Sequence, residues 1–168
     1  MWLRRLSAVA TLLAGLAGCG GVRLEDGSYV VARKGYRVGA PDGWTRIESE
    51  ADLALRKADA AAGLMAHATC EGKPPARPLT VLVRHLRFGL RDVQDLVETP
   101  VTLGGLSGAA QHFRATLDGV PVAVRAVTLR GAGCVYDLVG VAPPDRFSAL
   151  TPDFERFSRG FALTGAAR

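Results

Sequence analysis

The side chains best suited to chemistry in this 168-residue chain are three cysteines, three histidines and one serine between glycines. The serine lies in Gly105-Leu106-Ser107-Gly108-Ala109, which approaches a nucleophile elbow but lacks its last glycine and the strand-to-helix setting. A turn between two strands is the better reading. His67, His85 and His112 are dispersed without metal-ligand spacing. A zinc site on His67 and Cys70 would need both on one side, yet a strand points them to opposite faces. Gly131-Ala132-Gly133 lacks the third glycine and following helix of a dinucleotide fingerprint. No catalytic residue, metal or cofactor is expected.

Cys19 has a different setting. It ends Leu16-Ala17-Gly18-Cys19, with small residues before the thiol, and this looks like the bacterial lipobox. Arg4 and Arg5 supply a positive start, and residues 6–16 form an uncharged apolar run of signal-peptide length. That run is too short for a bilayer, which takes roughly 20 residues. The motif implies diacylglycerol transfer to Cys19, cleavage after Gly18 and acylation of the new amino group. Two or three acyl chains hold a protein on a membrane where one is marginal. The alternatives are an ordinary signal peptide with an incidental cysteine, or an apolar N-terminal helix. Leu3 and Leu6-Ser7 fit a twin-arginine signal poorly. Gly20, rather than Asp, follows the cysteine and favours the outer membrane by analogy with enteric bacteria.

Export also bears on the two remaining thiols, since an oxidising compartment favours pairing. Leu64, Ala66, Ala68 and Cys70 alternate onto one strand face, as do Cys134, Tyr136 and Leu138. A Cys70–Cys134 disulfide is expected, worth on the order of 3–4 kcal/mol if unstrained. Two buried free thiols are the alternative.

Several elements must position these groups. Residues 20–34 read as a tether with a short strand near Tyr29. Strands are expected over 35–39, 44–47, 52–56 and 63–70, with a turn at Pro41-Asp42-Gly43. A helix beginning at Pro78 would bury Leu79, Leu82, Val83, Leu86 and Leu90. Asp118-Gly119 reads as a two-residue hairpin turn, pairing Leu117 with Val120, Ala115 with Val122 and Phe113 with Val124. A three-residue turn at 131–133 would pair Thr128 with Tyr136 and Ala126 with Leu138. That register carries one apolar face across three strands. It leaves His112, Arg114, Arg125 and Asp137 together on the other, as a cross-strand salt bridge with solvated neighbours or as a polar patch for an anionic ligand. Tyr36 and Trp44 read as core residues beside a turn rather than a binding platform. Phe147, Leu150, Phe154, Phe157 and Phe161 form the apolar side of a last helix, capped by Thr151 and opened by Pro152.

The expected fold is α+β, a twisted antiparallel sheet of about five to seven strands with helices on its faces. The segments YRVGAPDGW (36–44), CVYDLVGVAPPDRF (134–147) and FERFSRGF (154–161) occur in an order that resembles the PsbP/Mog-like α/β/α family, which includes many bacterial envelope lipoproteins. That resemblance covers residues 35–163 through core and turn positions and carries no functional residue across. It implies a binding or assembly module and not an enzyme. The expected organisation is a signal peptide over 1–18, a lipidated cysteine and tether over 19–34, one domain over 35–163 and a tail over 164–168.

Charge narrows the partners. The chain carries +5; without Arg4 and Arg5 this falls to +3. Apart from Lys34, Lys57 and Lys73 the basic residues are arginines scattered along the chain, which argues against nucleic acid. The expected partners are the membrane, through Cys19, and an unidentified envelope protein, with the domain in the periplasm. A lipid- or small-ligand-binding accessory of a transporter is the second reading.

Overall fold

The computed structural model describes residues 21–71, 77–131 and 133–165; Cys19 and residues 1–18 lie outside them. The fold is α+β, with two antiparallel sheets and few helices. The large sheet has strand order β4-β5-β6-β10-β9-β8-β7, in which β4 is Thr45–Ile47, β5 Leu53–Lys57, β6 Ala62–Cys70, β7 Arg91–Leu103, β8 Leu106–Leu117, β9 Val120–Arg130 and β10 Cys134–Ala142. The small sheet has order β1-β2-β3-β11, from Val22–Glu25, Ser28–Val31, Tyr36–Gly39 and Ala162–Leu163. Two of its strands fall within the expected tether. Val31 and Ser28 are buried there, so from Val22 onward that stretch belongs to the folded domain.

The Asp118-Gly119 hairpin has the expected register, with Leu117 opposite Val120 and Phe113 opposite Val124. Both turn residues have positive φ (49° and 82°), the geometry that matches the twist of the flanking strands. The next turn differs by one residue. Gly131 N–H donates to the Cys134 carbonyl at 2.9 Å, so Gly131 and Cys134 close the turn and Thr128 lies opposite Asp137. Because side chains alternate, a one-residue shift exchanges the faces. Tyr136 and Leu138 therefore share a face with Leu129 and Val127, not with Thr128 and Ala126.

Each face has its own core. Helix α2 (Phe147–Arg159) places Leu150, Phe154 and Phe157 against Tyr136, Leu138, Leu129 and Leu64, together with Tyr36 and Val38 of the small sheet. Thr151 and Pro152 lie inside α2 rather than at its start, and the Thr151 hydroxyl donates back to the Phe147 carbonyl at 3.3 Å. A proline five residues past the first helical residue forfeits one backbone bond, which the buried phenylalanines outweigh. Gly140 admits Phe154: a Cβ there would stand 2.7 Å from its ring.

On the opposite face Phe113, Ala115, Val122, Val124 and Ala126 pack against Leu86 and Leu90. The expected long helix is here only one turn, α1 (Leu79–Leu82), continued as a 3₁₀ segment over Val83–Arg87. Neither has a side-chain cap, and Gly89 (φ 83°) and β7 follow at once. Residues 92–98, without a clear period in the sequence, belong to β7.

Cys70 and Cys134 face each other across β6 and β10 and form a disulfide, 64 residues apart in the chain. Replacing both with serine should lower the unfolding free energy by about 4 kcal/mol. Urea denaturation of the oxidised protein against the double variant measures this, and a loss under about 1 kcal/mol would show that the loop is already constrained.

Candidate binding surface

The sequence grouped His112, Arg114, Arg125 and Asp137, and the structure separates them. His112 and Arg125 are direct cross-strand partners on the α2 face, with Arg114 two residues along β8. His112 stacks on Phe147 with ring centroids 4.9 Å apart, and Arg125 lies over Phe154 and 3.7 Å from Glu155. Arg114 pairs with Asp95. Asp137 points the other way, because the turn closes at Gly131 and Cys134.

Beneath the Val83–Arg87 segment, Asp137 joins a different group. It is 4% exposed. Thr128 Oγ1, fully buried, donates to Asp137 Oδ1 at 2.7 Å, and His85 Nε2 lies 2.9 Å from Oδ2. His85 Nδ1 faces the Leu82 carbonyl. A carbonyl only accepts, so an imidazolium with both nitrogens protonated donates in both directions. The bond to Asp137 raises the His85 pKa above its ordinary value, while burial opposes the shift. His85 thus ties the short helical segment to the middle of the sheet. His67 lies opposite Asp137 on β6, with its Nδ1 4.0 Å from Asp52.

Ser107 pairs with Thr102 and Arg130 inside the ladder. Tyr36 and Trp44 are buried, as core residues should be. Tyr36 donates to Asp52 at 3.1 Å, and burial together with that carboxylate pushes its hydroxyl pKa far up. Trp44 Nε1 donates to Asp153 of α2 at 2.9 Å.

The exposed apolar groups collect elsewhere. Phe88 is 95% exposed, and a solvent-open hollow of about 520 Å³ beside it is lined by Val81, Arg84, His85, Arg87, Phe88 and Val93. Val93 of β7 belongs to the same hollow, and Leu96 and Val97 are exposed farther along this outer strand, Val97 on the face of His112; the strand has two register shifts near Asp92 and Asp95. Alternation in the sequence missed this surface, because bulges and positive φ at those aspartates break the two-residue period. One signal was legible: residues 77–91 hold Arg77, Arg84, Arg87 and Arg91 and no acid.

No family model matches the chain, and no curated protein matches it in sequence. Solved structures do match in shape. Cyanobacterial PsbP (CyanoP) from Synechocystis aligns with TM-score 0.59 and 16% identity, over 89% of this chain and 96% of its own. The chain has the PsbP-like fold. LpqN of Mycobacterium tuberculosis, described as involved in cell envelope biogenesis, aligns with TM-score 0.63 and 18% identity over 77% and 83%. A Bacteroides thetaiotaomicron protein aligns with TM-score 0.60 and 9% identity, over 89% of this chain and 51% of that one. At these identities what is shared with the PsbP-like structures is the fold. Among the described residues no helix is long and apolar enough to cross a membrane.

The His85–Asp137 tie predicts a pH-dependent stability. A raised histidine pKa contributes stability that is complete below the unfolded value of about 6.5 and is lost as pH rises through the folded value. With the His85 side chain 49% exposed, His85→Gln should cost about 1 kcal/mol in acid and less in alkali. Denaturant melts of both proteins across that range check it, and a pH-independent difference would contradict the tie.

Proposed function

We propose that the protein is a lipid-anchored envelope module without enzymatic activity, which binds or helps assemble a membrane-associated complex in the periplasm. The observation that carries this reading is the outer strand β7, where Val93, Leu96 and Val97 stand 37%, 40% and 55% exposed, Val97 on the face of His112 and Val93 toward Phe88 on the other. Three exposed apolar side chains on both sides of one sheet edge support an interaction surface there. The strand's bulges, Pro100 and its charged residues Asp92, Asp95 and Glu98 discourage edge-to-edge self-pairing, so a specific partner fits better than aggregation. The lipobox at Cys19 supports the anchor, and LpqN supports an envelope setting by its likeness in fold alone. The second reading, a ligand-binding accessory of a transporter, needs an enclosed apolar cavity. The hollow beside Phe88 is open to solvent, and the one along residues 46–54 is lined by Arg46, Glu48, Ser49, Glu50 and Asp52 among its eight residues, so neither is an enclosed apolar cavity.

Metabolic labelling with a fatty-acid analogue should mark the protein and not its Cys19→Ala variant; an unlabelled wild type would remove the lipid anchor from the account. Leu96→Asp with Val97→Asp should leave the melting temperature within a few degrees, since both side chains face solvent. The same pair should remove partners recovered by cross-linking from native membranes. Unchanged recovery would exclude β7 as the binding edge.

A further inference from the structure

Arg84, Arg87 and Phe88 form a tip that differs from the remaining surface in two respects, a freely exposed aromatic and an acid-free run of arginines. Phe88 stands almost wholly free of its own protein, at the end of the 3₁₀ segment and before Gly89. Arg77, Arg84, Arg87 and Arg91 surround it in sequence, with no acid between residues 77 and 91. Among the described residues these four make no salt bridge; Arg33, Arg37, Arg46, Arg56 and Arg130 make none either, but none of those stands in a run of four arginines without an acid. The run at the tip is left for an external anion.

We infer that this tip seats on an anionic phospholipid surface, with Phe88 entering the headgroup–acyl boundary and Arg84 and Arg87 meeting the phosphates. A protruding aromatic needs a soft partner rather than a matching pocket, and the boundary of a bilayer is one. The apolar side chains at the tip itself, Val81, Phe88 and Val93, offer far less than the roughly 800 Å² per partner of a stable protein interface. Basic side chains near an anionic bilayer supply the remaining attraction. The His85–Asp137 bond holds the tip to the sheet, so seating it also fixes the attitude of the sheet, including the β7 edge that begins at Arg91. This contact rests on the proposed envelope setting but does not require Cys19 to be lipidated, because the tip is read by its own reporter.

The test places that reporter at the tip of the full chain. Phe88→Trp, purified from membranes and mixed with or reconstituted into vesicles, is read by quenching from brominated acyl chains, with the wild type subtracted to remove Trp44. In vesicles of phosphatidylglycerol and phosphatidylcholine the fluorescence of the introduced indole should be quenched and blue-shifted, and in phosphatidylcholine alone it should not. Arg84→Gln and Arg87→Gln should each weaken the contact by about fivefold, and raised salt should do the same. Absence of quenching in the anionic vesicles, or equal quenching in both kinds, overturns the inference. So does loss of a cross-linked protein partner in the arginine variants without any lipid contact, which would assign the tip to a protein. Fatty-acid labelling reports the Cys19 anchor separately, so a failed anchor and a failed tip give different results.

Discussion

The whole arrangement depends on the turn between β9 and β10. Closing it at Gly131 and Cys134 sets which residues of β10 face each core. Tyr136 and Leu138 then meet the phenylalanines of α2, Cys134 meets Cys70, and Asp137 turns to the opposite face. A shift of one residue would bury Asp137 among those phenylalanines and turn Tyr136 away from them. The energetic gap between these registers is large, because an unpaired buried carboxylate and several lost aromatic contacts would arrive together.

The same register explains why the opposite face needs so little helix. A short run of mixed α and 3₁₀ structure suffices to cover Phe113, Val122 and Val124, since Leu86 and Leu90 contribute the apolar contact and His85 the polar one. Such a short segment would be marginal on its own. Held by Asp137, it can carry the exposed Phe88 without folding that side chain back onto the core. Val93 of β7 adjoins it, so the tip and the start of the outer strand share one open hollow.

Much of the architecture was legible in the sequence. Alternation in 63–70 and 113–124, the Asp118-Gly119 turn and the phenylalanine spacing of α2 each specify an element through burial, and the structure follows them, while residues 106–109, read as a turn, are the start of β8. The α+β class and the pairing of Cys70 with Cys134 follow from the same faces. The candidate site was less legible, because it turned on the parity of one glycine-containing turn: two or three residues there decide whether Asp137 accompanies Arg125 or His85. The helix after Pro78 was overestimated since its apolar spacing is real, but Gly89 and the demands of β7 end it early. The short strand expected near Tyr29 is β2, whereas β1 was missed because a polar segment reads as a tether until its partner is known.

The register is tested most directly by cross-strand proton contacts in nuclear Overhauser spectra of the isotopically labelled protein. The structure predicts backbone contacts between Leu129 and Tyr136 and between Val127 and Leu138. Contacts between Thr128 and Tyr136 and between Ala126 and Leu138 would contradict it, return Asp137 to the side of His112 and Arg125, and leave His85 without its partner.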